Sequence, residues 1–174
     1  MDPSGNLDYL DTQEQEEIIA SLERSNAVQN RVWRGVFSLL GAGLALFFLR
    51  SAALQARAPW ERQYHAHFAG VLSQGTTVVA DVSTAGAILC GGLVLHAGSR
   101  AVLHRALVAA TLLLSLATAA FWLGALRTVG SWRNFWLTMS PLFGILCLYV
   151  DHSLQSTTLQ INRLRASKYR FKKA

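Results

Sequence analysis

The sequence predicts an all-α, polytopic membrane protein. The expected architecture is a four-helix transmembrane bundle with a cytosolic amphipathic helix before it and a helical extension after it. Three observations lead there. Charged residues make up only 15% of the 174 residues, against about 25% in soluble domains. The charges are clumped, which leaves long stretches with none, and a soluble core of this size seldom needs such stretches. The ends carry opposite charge: residues 1–23 hold seven acids and no base, and residues 163–173 hold six bases and no acid.

Residues 1–31 form the first segment. Asp11 and Glu14 have the spacing of a capping box. Ile18, Ile19 and Leu22 share one face of the helix that follows, whose early glutamates suit the positive end of its dipole. The membrane domain is read as 32–150, with spans near 33–54, 77–97, 106–126 and 133–150. The first is the shortest: residues 35–49, between Arg34 and Arg50, rise roughly 22 Å against a hydrocarbon core of ~30 Å. Flanking residues extend it while the arginines reach toward headgroups. The acidic leader does not resemble the short basic start of a signal peptide, so this span is expected to remain as an anchor.

The second span is dense in small residues, among them Ala85, Gly86, Ala87, Gly91 and Gly92, which favour close helix packing. The third is the clearest, because residues 106–126 carry no charge between Arg105 and Arg127. In the fourth, Trp132, Phe135, Trp136 and Tyr149 read as interfacial anchors, and Pro141 is expected to bend the helix midway. A three-span arrangement is the alternative. Counted by compartment, eleven Lys and Arg fall on the side of both tails and five on the other. Both termini are therefore expected in the cytosol.

Chemistry-bearing residues are few. Asp81 is the acid at membrane depth, and intramembrane ionisable groups are often functional. With Thr77, Ser83 and Thr84 it makes a candidate polar site. Near the membrane surface it is expected to meet water or pair with Arg62, Arg127 or Arg133. His65 and His67 read as interfacial residues, since a metal site needs further ligands. Cys90 and Cys147 sit in apolar stretches as small hydrophobes. The pattern implies no cofactor and no metal.

The C-terminal segment, 151–174, continues the fourth span. From Cys147 through Val150, Leu154, Thr157, Ile161, Leu164, Lys168 and Phe171 the spacing alternates three and four, the period of a helix–helix seam. Ile18 and Leu22 are candidates to meet Ile161 and Leu164. Arg170, Lys172 and Lys173 resemble a dibasic retrieval signal of the endoplasmic reticulum, with arginine in place of the outer lysine. The basic tail suits anionic lipid or an acidic partner better than nucleic acid. The functional expectation is a non-catalytic scaffold or accessory subunit of a larger membrane assembly, its partners being lipids and other subunits or itself. The alternative is an oligomeric channel or transporter that uses Asp81.

Overall fold

The computed structural model describes residues 12–61, 63–97, 101–130 and 132–171. Among them every regular element is helical: α1 (Thr12–Arg57), a short α2 (Gln63–Ala66), α3 (Gln74–Val94), α4 (Ala101–Val129), a 3-10 turn (Phe135–Thr138) and α5 (Ser140–Phe171). Three of these, α1, α3 and α4, are long and apolar enough to cross a membrane. At 21 residues, α3 rises roughly 32 Å, about one hydrocarbon thickness.

The sequence pattern places an amphipathic helix up to residue 31 and a span from 33; one uninterrupted helix of 46 residues covers both. Nothing between them can break it. No proline intervenes, and Gly35 inside a helix costs only ~1 kcal/mol relative to alanine. Proline at position 141 does not bend a helix, contrary to expectation. It is the second residue of α5, where its missing N–H had no intrahelical partner to lose. The residues just before it, read as the start of a span near 133, instead form the 3-10 turn, in which Leu137 N–H donates to Asn134 O at 3.0 Å.

The other boundaries also have local causes. Ser73 caps α3, its Oγ accepting from Thr76 N–H at 3.2 Å. Gly130, with φ 69°, ends α4 and donates its N–H to Leu126 O at 3.0 Å, the left-handed stop that glycine adopts without steric cost.

The chain divides into two compact units. The larger, Trp33–His152, holds the core: Phe48, Phe68, Ile88, Leu95, Trp122, Leu126, Leu137 and Phe143. Its helices pack closely at glycine, Gly41 against the Phe143 ring and Gly144 against α4. A Cβ on Gly144 would lie 3.1 Å from Thr111 Cγ2 and 3.2 Å from Ser115 Oγ, so α4 and α5 approach over hydrogen atoms alone. The smaller unit comprises Met1–Val32 and Ser153–Ala174. In it the start of α1 lies beside the end of α5: Glu23 pairs with Arg165 at 3.1 Å, and Asn26 and Asn30 Nδ2 donate to Thr158 Oγ1 at 3.1 and 3.3 Å. Residue numbers fall on one helix as they rise on the other, so the two run antiparallel.

Gly144→Leu is expected to force these helices apart at a cost of about 1–3 kcal/mol. Gly43, where an added Cβ would meet nothing within 4 Å, should accept leucine with little change. Thermal unfolding of both variants in detergent checks the contrast.

Candidate functional site

Asp81 lies seven residues into α3, roughly 10 Å along its axis. It is fully buried, as are Thr77 and Thr84, which share its face of the helix. Burying a carboxyl group is costly unless something answers its charge. The polar group nearest to it is His65, whose Nε2 lies 3.5 Å from Asp81 Oδ2, close enough for an ion pair when the imidazole is protonated but too loosely placed for a hydrogen bond. Arg127 and Arg133, expected as partners, do not pair with Asp81, and Arg62 lies outside the described residues. The reason is topological: the connection between α1 and α3 folds into the core, where a turn closes as Phe68 N–H donates to His65 O at 2.9 Å. His65 and Phe68 are thereby buried at 0% and 1% exposure. His65 is thus covered by protein on every side. His67, two positions on, is exposed.

An aromatic wall holds the imidazole in place. Its ring stacks on Trp122 of α4 with centroids 5.9 Å apart and planes 8° from parallel. Phe68 and Phe121 pack on the same indole at 5.7 and 5.2 Å. Gln55, at the end of α1, is also fully buried. Its Oε1 accepts from Trp60 N–H at 3.3 Å, and its backbone carbonyl accepts from Gln74 Nε2 at 3.2 Å. The bond to Trp60 steadies a residue at φ 67°, an uncommon conformation for a side chain of that bulk.

This layer is polar yet under-bonded. Both Asp81 oxygens, Gln55 Nε2 and Trp122 Nε1 are buried without a hydrogen-bond partner. Each such group costs about 1–3 kcal/mol. The open oxygens of Asp81 are able to accept a proton or a hydrogen bond.

The remaining candidate residues separate. The Thr77 and Thr84 hydroxyls donate to their own helix, to Ser73 O at 3.1 Å and Ala80 O at 2.8 Å, which satisfies them locally. Ser83 faces elsewhere: with Thr76, Val79, Thr118 and Phe121 it lines a cavity of about 390 Å³ between α3 and α4. Behind it Thr118 Oγ1 and Ser140 Oγ bond at 2.9 Å. A second cavity of about 490 Å³ is wholly apolar, walled by Leu40, Phe47, Phe48, Trp136, Phe143 and their neighbours.

A second histidine–aspartate pair went unmarked by the sequence. His104 Nε2 and Asp151 Oδ2 are 2.8 Å apart, with Asp151 side-chain exposure at 9%. Asp151 reads in sequence as the boundary of a span and His104 as a headgroup-level residue, because neither spacing announces a contact between α4 and α5. His96 likewise bonds to Ser38 Oγ at 2.7 Å. No group of three His, Cys, Asp or Glu side chains able to hold a metal occurs among the described residues.

In the smaller unit Ile161 is buried at 8% exposure, whereas Ile18, Leu22 and Leu164 are 47%, 43% and 53% exposed. Arg170 falls at the end of α5, and Lys172 and Lys173 of the dibasic pattern lie outside the described residues. No family model, curated protein or solved structure matches the chain.

Replacing His65 by leucine strands the Asp81 carboxyl and is expected to cost about 3–5 kcal/mol of stability, as is common when one member of a buried pair is removed. His65→Leu with Asp81→Leu should recover most of the loss. Chemical unfolding of the two single variants and the double variant measures the coupling; additive losses would show that the two groups do not act as a pair.

Proposed function

We propose that the chain is an integral membrane protein with four spanning segments and both termini in the cytosol. In this reading it serves as a non-catalytic scaffold or accessory subunit of a larger membrane assembly in the endoplasmic reticulum. Three long apolar helices support the membrane setting. The fourth segment would be the 3-10 turn with the first residues of α5, flanked by Trp132, Trp136 and Tyr149 as interfacial anchors. The excess of Lys and Arg on the side of both tails supports the orientation, and the resemblance of Arg170, Lys172 and Lys173 to a retrieval signal supports the organelle.

The observation that carries the reading is the smaller unit. Two helical segments of opposite charge lie antiparallel, joined by Glu23–Arg165 and by Asn26 and Asn30 on Thr158. They leave apolar side chains uncovered on a polar frame. A single exposed ion pair adds only ~0–1 kcal/mol, so this arrangement serves recognition better than stability. Affinity isolation from mild detergent is expected to recover the chain with further membrane subunits in fixed ratio. Arg165→Glu should lower that recovery, and adding Glu23→Arg should restore it. A chain recovered only as a lone monomer overturns the reading.

A second reading is favoured by the open oxygens of buried Asp81 and by the cavity lined by Thr76, Ser83 and Thr118. It is an oligomeric channel or transporter in which Asp81 carries a proton or cation. In liposomes containing the purified chain, Asp81→Asn should abolish proton or cation flux; unchanged flux removes the residue from any pathway.

A further inference from the structure

Residues 106–126 contain four side chains able to hydrogen-bond, Thr111, Ser115, Thr118 and Trp122, and all four are buried. At 3.6 residues per turn they fall, together with His104, within an arc of about 60° on α4. Small size alone does not select that arc, since Ala106, Ala109, Ala117 and Ala120 lie off it and are exposed. Each end of the arc meets a histidine–aspartate pair. His104 Nε2 lies 2.8 Å from Asp151 Oδ2. At the far end Trp122 carries the stacked ring of His65, whose Nε2 is 3.5 Å from Asp81 Oδ2. From His104 to Trp122 is about five turns, or roughly 27 Å, close to the ~30 Å of a hydrocarbon core.

Hydroxyls occupy the interval. Thr118 Oγ1 and Ser140 Oγ bond at 2.9 Å, and Ser115 Oγ donates to Ser140 O at 3.4 Å. On α3, Gly91 lies against Thr111, and Asp81 reaches Trp122 through His65, so α3 and α4 run antiparallel. Buried Thr84 therefore stands level with Thr118, each about two turns from the Gly91–Thr111 contact. Toward the start of α3 the row continues through Thr77, whose Oγ1 donates to the carbonyl of exposed Ser73 at 3.1 Å.

We propose that this row conducts protons through a single chain, between the Asp81–His65 and Asp151–His104 pairs. The inference rests on the reading of Asp81 as an ion-carrying residue, and it names the ion and its route. Aspartates and histidines in series within a membrane are the working parts of proton relays. A hydroxyl has one donor and two acceptor positions, so it takes a proton on one side and releases its own on the other. Steps of one helical turn, about 5–6 Å, are two hydrogen-bond lengths and are crossed by one water. The longest step, two turns from Thr111 to His104, takes a short file of waters from the partly exposed end at Asp151. A hydrated metal cation is far wider than one such water. The contact at Gly144, where an added Cβ would lie 3.1 Å from Thr111 Cγ2 and 3.2 Å from Ser115 Oγ, bars it. One proton enters at one pair as another leaves at the other, so only O–H and N–H bonds form and break.

The test uses the purified full-length chain in liposomes that hold a pH-reporting dye. A potassium gradient with valinomycin supplies the compensating charge, and tracer sodium is followed in parallel. The natural chain is expected to acidify the interior without moving sodium. Thr111→Val and Asp151→Asn should each abolish the proton flux, and Thr111→Ser, which keeps the hydroxyl, should restore it. Thr128→Val, at an exposed position off the arc, should leave it unchanged. Circular dichroism and thermal unfolding show whether each variant is folded; if Thr111→Val is not, Asp151→Asn at the partly exposed end carries the test. Proton flux kept in folded Thr111→Val and Asp151→Asn overturns the proposal, and its loss in Asp81→Asn alone would leave the Asp81 reading standing by another route. Sodium flux in place of proton flux also overturns the proposal and keeps a channel. No flux of either ion removes both.

Discussion

A carboxyl group with no exposure to solvent constrains everything around it. Asp81 sits on a helix otherwise built of small and apolar residues, and nothing else on α3 supplies a counter-charge. The partner comes from outside the long helices, from the connection between α1 and α3. For His65 to reach it, that connection has to fold inward and not run over the surface, where connections normally lie. Phe68 follows as its apolar anchor, and Trp122 provides the flat surface on which the imidazole rests. The end of α1 is drawn in as well, through Gln55 holding Trp60 and accepting from Gln74. One polar residue thus organises the packing of α1, α2, α3 and α4 at that end of the larger unit.

Elsewhere the unit is held by close approach. Gly144 faces Thr111 and Ser115, and Gly91 faces Thr111 and Cys147. The hydroxyls along α4 follow the same logic: Thr111 and Thr118 donate to their own helix four residues back, and Thr118 meets Ser140 across the contact. Where lipid offers no hydrophobic drive between helices, small side chains and short polar links are what hold them together. The two ends of the unit differ accordingly. One is sealed around the under-bonded Asp81 layer, and the other is fastened by the partly exposed pair His104–Asp151.

The smaller unit obeys different physics. Its two segments carry opposite charge and are linked by the Glu23–Arg165 pair and by Asn26 and Asn30 on Thr158, with Leu154 and Ile161 buried beside them. So small an apolar contact gives modest stability. Of the four residues expected from sequence to meet, Ile161 is buried, while Ile18, Leu22 and Leu164 are exposed.

Periodicity and charge placement were enough to read the helical class, the long apolar segments and the opposite charge of the two ends, because each depends on residues close together in the chain. The span at 106–126 lies wholly inside α4, and that at 77–97 overlaps α3, for this reason. Boundaries were harder: an expected break between an amphipathic helix and the first span is absent from α1, and a proline expected in mid-helix instead starts α5, where its missing N–H deprives no intrahelical bond. Asp81 stood out by its rarity in an apolar stretch, but its partner did not. The pairing with His65, the stacking on Trp122 and the bridge from His104 to Asp151 join residues 16 to 57 positions apart in the chain. No local spacing encodes such contacts. Only the packing of the helices against one another, and the inward fold of one loop, decided them.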